Sequence, residues 1–429
     1  MKTYNKTFGR ILLAVIAVVS ALSLQSCKVD EPDKYESTGG VPTIYYIRPA
    51  DISKKDSLLV SAYPEMTIAI IGENLRSIRE MYFNDLAAVL NSSYITDNAL
   101  IVTVPKGIPT AVNDKITMIT SDGLTTYYDF QVVLPSSTVS SISNEYAQAG
   151  ETVTIYGDYF LTYDDYPLSI MMPGNIPVTE ITNVTKTSVT FVIPNGVTES
   201  GNINITTKYG TSKSKFYYRD DRGMIIDWDG IKGLAQANGW RTAAALKVDD
   251  GTGVDGAFVR FKGNLTADGW STSEDDWAFN YWGDGTATGV AISNMPGCDE
   301  LISKYAYTDM ALKFEYRIPK DKPWQSTGLQ AIFTKNGVSG TNSYCWDAGL
   351  PRAIWAPYAT SGSHDTNGEW TTAVIPFTSF NKTHNGEICV NSFSYDYLGG
   401  LTFYFMGGPE GVAGTLQIDV DNIRISPIQ

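Results

Sequence analysis

Thr67-Ile68-Ala69-Ile70-Ile71-Gly72-Glu73-Asn74-Leu75 reads as a strand and its exit, and the pattern returns 85 residues on as Thr152-Val153-Thr154-Ile155-Tyr156-Gly157-Asp158-Tyr159-Phe160. Thr and β-branched residues fill each run and glycine closes it, which is strand-and-turn grammar. What surrounds the two copies also matches. The first is followed by Leu100-Ile101-Val102-Thr103-Val104-Pro105, Ile116-Thr117-Met118-Ile119-Thr120, Gly123 and Tyr127-Tyr128-Asp129-Phe130-Gln131-Val132. The second is followed by Val189-Thr190-Phe191-Val192-Ile193-Pro194, Ile203-Asn204-Ile205-Thr206-Thr207, Gly210 and Phe216-Tyr217-Tyr218. A repeat of this length, with about seven short strands in each copy, predicts two immunoglobulin-like β-sandwiches in tandem, over 41–134 and 135–219. Only Val133-Leu134-Pro135-Ser136 joins them, so the pair reads as a stiff spacer.

Outside the repeats the composition changes. All nine tryptophans of the 429-residue chain lie at or after Trp228. From 222 to 429 the strands continue, as Leu312-Lys313-Phe314-Glu315-Tyr316-Arg317-Ile318, Val374-Ile375-Pro376-Phe377, Leu401-Thr402-Phe403-Tyr404-Phe405 and Leu416-Gln417-Ile418-Asp419-Val420-Asp421. A single β unit of this size fits a jelly-roll sandwich with long loops. The fold class is therefore all-β throughout.

The same region carries aromatics in loop-like settings among Gly, Pro, Asn and Ser. They are Asn280-Tyr281-Trp282-Gly283, Lys322-Pro323-Trp324-Gln325, Tyr344-Cys345-Trp346-Asp347 and Ile354-Trp355-Ala356-Pro357-Tyr358. A pyranose has an apolar C–H face and a polar rim, so an aromatic ring stacks on the face while Asn, Asp, Gln or Arg bonds the hydroxyls. Tyr281, Trp282, Trp324, Trp346, Trp355 and Tyr358 are the candidate glycan-binding residues. The competing reading is core tryptophan, and it is assigned to Trp228, Trp240 and Trp370, which sit beside strand landmarks. Trp270 and Trp277 flank an acidic stretch and are left unassigned.

Charge narrows the partners. The chain carries 32 Lys+Arg against 46 Asp+Glu, a formal net charge of −14. That opposes nucleic acid, anionic membranes and polyanionic glycans. Residues 222–429 hold 15 basic and 23 acidic side chains, which favours a neutral glycan. With two histidines in the chain, chemistry built on several histidines is excluded. Gly251-Thr252-Gly253-Val254-Asp255-Gly256 matches a dinucleotide fingerprint, but Ala257-Phe258-Val259-Arg260-Phe261 after it reads as a strand rather than a helix, so it is a turn. No P-loop, H-E-x-x-H or G-x-S-x-G occurs, and no carboxylate pair stands out among Glu274, Asp275, Asp276, Glu315, Glu369 and Glu410. Glu315, in an alternating strand, is expected in solvent or a salt bridge. Asp249-Asp250 and Asp419/Asp421 could ligate Ca²⁺, but solvated turn acids are the reading preferred, so no cofactor and no metal are expected.

At the N-terminus, Lys2, Lys6 and Arg10 precede an apolar run, Ile11 to Leu24, that fits a signal-peptide h-region and is short for a membrane span. Leu24-Gln25-Ser26-Cys27 resembles a bacterial lipobox, which implies cleavage after residue 26, lipidation of Cys27 and a lipidated linker over 27–40. The acidic Lys28-Val29-Asp30-Glu31-Pro32-Asp33 resembles the signal that sends some lipoproteins to the outer face of the outer membrane. Cys298, Cys345 and Cys389 form no metal spacing. They read as small buried hydrophobes, with room for one disulfide that the spacing does not assign.

Two resemblances follow from these motifs. Pro42, Ile44, Gly72, Asn74, Leu75, Phe83, Asn84, Val104, Pro105, Gly123 and Phe130 resemble the landmarks of IPT/TIG domains, and 135–219 follows the same order more loosely. Met224-Ile225-Ile226-Asp227-Trp228-Asp229-Gly230, Asn238-Gly239-Trp240, Leu312 to Tyr316, Gly368-Glu369-Trp370 through Phe377, and Ile418-Asp419-Val420-Asp421-Asn422-Ile423-Arg424-Ile425 resemble the C-terminal domain of surface glycan-binding proteins of starch-utilisation-like systems. That resemblance implies an outer-membrane, surface-exposed lipoprotein. It would bind xyloglucan or β-glucan without cleaving it and work beside an outer-membrane glycan transporter. The rival functions are a lipid-anchored glycoside hydrolase and a protein-binding surface adhesin.

Overall fold

In a computed structural model describing residues 40–54, 56–269, 276–283, 289–339 and 343–428, the glycine that closes each repeat motif has a definite task. A Cβ at Gly72 would sit 1.9 Å from the Thr43 carbonyl oxygen, and one at Gly157 would sit 1.8 Å from that of Thr138. At both places the neighbouring strand slips register, between Ile44 and Tyr46 and between Val139 and Ser141. These are β-bulges, where one backbone presses so close on the other that no side chain fits. Two residues beyond each glycine the chain turns through a left-handed residue, Asn74 and Tyr159. The repeated motif thus encodes a bulged strand and its exit.

The chain divides into two compact units, 1–134 and 135–429. In the first, Thr43–Pro49, Thr67–Glu73 and Ala99–Thr103 form one sheet. Leu86–Ala87, Ile78–Phe83, Lys115–Thr120 and Thr125–Asp129 form the opposite sheet. Alternation sends Ile47, Ile68, Ile70 and Leu100 of one sheet, and Met81, Phe83, Ile116 and Met118 of the other, into a common core.

The second unit contains two sandwiches. Thr138–Ile142, Thr152–Asp158, Ser188–Val192 and Ile181–Val184 face Ile176–Pro177, Ser169–Met172, Asn204–Thr207 and Gly210–Lys213 across a core that includes Ile155, Phe191, Ile170 and Ile205. In the larger sandwich the long strand Gly414–Pro427 is central. It pairs with Phe258–Leu265, Met310–Arg317 and Met224–Ile226, and Lys247–Val248 and Thr371–Pro376 extend the sheet outward. The opposing sheet is Ala278–Tyr281, Gly400–Phe405, Leu329–Thr334 and Ala353–Trp355. Trp228, Trp277, Phe261, Phe279, Phe314, Phe403 and Phe405 pack between the two. The turn Gly251–Gly256 leads into the strand Phe258–Leu265, as its sequence predicts.

The sandwiches of the second unit meet through a buried charged cluster. Glu145, from the first, receives the Lys313 ammonium at 2.7 Å and the Arg424 guanidinium at 2.8 Å. Arg424 also forks onto Glu315 at 2.7 and 3.0 Å, with the Tyr146 ring 4.7 Å from its guanidinium carbon. Thr372 Oγ1 donates to Glu315 and accepts the Glu145 N–H. All four charged residues are buried, so the expectation that Glu315 meets solvent or a salt bridge resolves to a fully buried salt bridge. The second repeat is therefore a packed partner of the C-terminal sandwich, held to it by ion pairs and hydrogen bonds rather than by the short connection alone.

Asp419 is held by the guanidinium groups of Arg260 and Arg317 at 2.7 Å each, and Asp250 accepts the Thr252 hydroxyl and N–H. Among the described residues no group of three His, Cys, Asp or Glu is arranged to hold a metal ion. Cys298, Cys345 and Cys389 are buried. No helix among the described residues is long and apolar enough to cross a membrane. Residues 1–26 and Cys27, the expected signal and lipidation site, lie outside the described residues, as does Trp270.

Candidate functional site

Strand alternation gives the sheet Ala278–Tyr281, Gly400–Phe405, Leu329–Thr334 and Ala353–Trp355 two faces. Phe279, Phe403 and Ala331 point into the sandwich. Asn280 and Thr402, paired in register, and Gln330, paired with Tyr404, lie on the other face. These polar residues are nonetheless buried, because loops close over them and bond to them.

Tyr344, in the turn Ser343–Trp346, is the hub of the cover. Its hydroxyl accepts the Asn280 amide at 3.0 Å and the Trp282 indole N–H at 3.3 Å, which leaves its own proton for Thr402 Oγ1 at 2.9 Å. Burial pushes the phenol above its ordinary pKa, so the hydroxyl stays a neutral donor. Asn238 clamps the backbone of Trp282 from both sides, accepting its N–H at 2.8 Å and donating to its carbonyl at 3.3 Å. Next to Asn238, the Gly239 N–H bonds the Asn280 carbonyl. A Cβ there would come 2.5 Å from the Asn280 side chain, so only glycine fits at this approach. Trp240 follows and projects outward, 64% exposed, with the Arg241 guanidinium 5.9 Å from its ring centre.

Arg352 fixes the other half of the cover. Fully buried, it donates to Gln330 Oε1 at 2.9 Å and to the carbonyls of Cys345 at 2.6 Å and Asp347 at 3.1 Å. Burial lowers its pKa, and these acceptors offset the loss of water. The Gln330 amide in turn donates to the carbonyls of His384 and Met406. Two loops are thereby tied to one strand. They present Trp346, 45% exposed, edge-on to the His384 ring with 6.0 Å between centres. The result is a set of indoles on a base locked by hydrogen bonds. Their chemistry is that of apolar faces bordered by amide, hydroxyl and guanidinium groups.

Of the six residues expected to face ligand, Trp346 is exposed on this surface, whereas Trp282 is buried beneath it at 9% exposure with its indole N–H on Tyr344, so for Trp282 the expectation is corrected. Tyr281 alternates with Asn280 and so turns inward, its hydroxyl bonded to the Val290 carbonyl at 2.6 Å. Trp324 is fully buried, its indole N–H shared between the Ser326 and Thr327 carbonyls at 2.8 Å. Tyr358 is likewise buried, donating to the Pro409 carbonyl. For these three the expectation is corrected: a ring enclosed on all sides offers no face to a sugar, and each polar handle is satisfied within the chain. Trp355 is half-buried against Phe314, Tyr316 and Trp324. Trp240, read from sequence as core, is the residue that reading missed; Asn238-Gly239 before it was the loop signal. Trp228 and Trp277 are core, and Trp370 is half-buried.

The family model for the surface glycan-binding protein B xyloglucan binding domain matches residues 218–427, and that for the IPT/TIG domain matches 137–218. The crystal structure of surface glycan-binding protein PbSGBP-B from Prevotella bryantii is 36% identical, covers 91% of this chain and 100% of that one, and superposes with a TM-score of 0.82. The chain belongs to the surface glycan-binding protein B family. An IPT/TIG domain-containing protein of Bacteroides ovatus is 29% identical over 191 residues, 42% of this chain and 38% of that relative. The match thus spans about two-fifths of that relative's own length. The locked indole surface lies within the surface glycan-binding protein B region of this chain, while the buried charged cluster joins that region, through Lys313, Glu315 and Arg424, to Glu145 of the IPT/TIG region.

Proposed function

We propose that this chain binds a neutral polysaccharide, a xyloglucan or related β-glucan, on the indole surface of its C-terminal sandwich, and that it does so without cleaving the chain. The observation that carries this reading is the pair of exposed tryptophans, Trp240 and Trp346, on a base fixed through Asn280, Tyr344, Gln330 and Arg352. A rigid aromatic surface stacks on successive sugar rings with little ordering cost. The family model's xyloglucan-binding description and the acidic balance of residues 222–429 support a neutral hemicellulose. Cys27 carries a lipid that anchors the protein on the outer face of the outer membrane, where it holds polysaccharide for a glycan transporter. Retardation in native gels containing xyloglucan, mixed-linkage glucan or a polyuronate tests the ligand class, with xyloglucan or the mixed-linkage glucan expected to retard and the polyuronate not. Incubation with the retarding polysaccharide should release no new reducing ends; their steady appearance would make the protein a hydrolase.

A further inference from the structure

A second opening, lined by none of the indole-surface residues, lies where the two sandwiches of the 135–429 unit meet. This cleft has a volume of about 600 Å³. Its C-terminal wall carries Tyr316, His364 and Trp370, and the wall from the immunoglobulin-like sandwich carries Glu151 and Asn144. Asp365 and Glu369 stand at the C-terminal rim.

The aromatic wall is fixed in place. The Trp370 indole donates to the Thr252 carbonyl at 3.1 Å, Arg317 lies over its ring at 4.8 Å, and Phe258 meets it edge-on. The Tyr316 hydroxyl shares a 2.9 Å bond with His364 Nε2, and its ring packs on Trp355 at 4.9 Å. The facing wall is fixed as well, since Thr371 and Thr372 bond the Ser143 carbonyl and Glu145 enters the buried charged cluster beside it. The opening is thus preformed, which removes most of the ordering cost of binding.

Its chemistry selects one class of ligand. Glu151, Asp365 and Glu369 are acceptors only and call for donors. Among the described residues, no lysine or arginine lines the opening. Burial lowers the pKa of His364, so that ring is neutral at neutral pH. An anion is repelled; Glu151 Oε2 already accepts the Gln148 N–H at 2.8 Å and Asp365 Oδ1 the Asn367 N–H at 2.9 Å, but the other carboxylate oxygens keep lone pairs that a flat apolar molecule would leave unused. A sugar supplies hydroxyl donors on its rim and a C–H face for the rings. We propose that this cleft is a second, weaker subsite for a segment of the same neutral glycan, formed jointly by the immunoglobulin-like and C-terminal sandwiches. It rests on the glycan-binding reading above, and a polymer engaging both places would gain by avidity.

The test uses the full chain and a xylogluco-oligosaccharide, followed by indole fluorescence and saturation-transfer NMR. The variant Trp240→Ala/Trp346→Ala, crippled at the indole surface, should keep a saturable response at least tenfold weaker than the parent. Adding Glu151→Ala and Glu369→Ala, both exposed side chains whose loss leaves the melting temperature in place, should weaken that response a further tenfold or abolish it. In the otherwise unaltered chain the two glutamate changes should leave oligosaccharide affinity within twofold and weaken long xyloglucan fivefold or more. A silent Trp240→Ala/Trp346→Ala variant beside a binding parent overturns the second subsite and leaves the main reading standing. So does a residual response that the glutamate changes do not alter. A parent that does not respond at all overturns both.

Discussion

At the scale of single residues, burial separates rings that hold the fold from rings that can meet a ligand, and local sequence does not show burial. Trp324 sits in Lys322-Pro323-Trp324-Gln325, a loop by composition, yet that loop folds inward and its carbonyls at Ser326 and Thr327 satisfy the indole N–H. Trp240 was read from sequence as core, yet Gly239 lets its backbone press against Asn280 and throws the ring outward. Sequence therefore located the aromatic-rich region and one of its exposed rings, Trp346, while which rings face out depends on long-range register. Trp324→Ala should cost about 3–5 kcal/mol of stability, the usual loss for a large buried aromatic. A urea melt checks this, and an unchanged midpoint would mean that Trp324 is not part of the core.

Among elements, the strands were legible because glycine, proline and asparagine punctuate them, and the two bulge glycines explain why the repeat could be seen at all. The docking of the sandwiches was not legible, since Glu145 and Glu315 lie 170 residues apart in sequence and meet through Arg424 and Thr372, which are more distant still along the chain. This cluster makes stability depend on pH. Burial pushes the Glu315 carboxyl from 4.5 up to about 7, with Arg424 the main opposing influence. A carboxyl that holds its proton more tightly when folded stabilises the fold below its unfolded pKa. That stabilisation is lost as pH rises from about 4.5 to about 7, by roughly 3 kcal/mol in all. Asp255 and Asp421, also pushed up by burial, act with the same sign. Glu315→Gln should thus flatten the fall in melting temperature between pH 5 and 7.5 without abolishing it. An equal slope in the variant and the parent would show that Glu315 does not titrate in this range.

For the whole molecule, every group of the indole surface and both walls of the second cleft fall within 135–429. Residues 135–429 alone should match the full chain in xyloglucan affinity within about twofold. Residues 222–429 alone should melt lower, because removing 135–219 takes away Glu145, the ion-pair partner of Lys313 and Arg424, and uncovers Met224 and Val254, which pack against Tyr146. Equal melting temperatures for the two fragments would mean that the charged cluster contributes nothing to the fold.

The central claim is that exposed indoles on a hydrogen-bonded base hold the glycan. Stacking one sugar ring removes about 50–100 Å² of apolar surface from water, or about 1–3 kcal/mol, so a single indole is worth about 10- to 100-fold in affinity. Calorimetric titration of xyloglucan into the parent and into Trp240→Ala/Trp346→Ala, with both melted in parallel, is the most direct measurement. The account predicts at least a hundredfold loss of affinity with an unchanged melting temperature. Parental affinity in the folded double variant would contradict it.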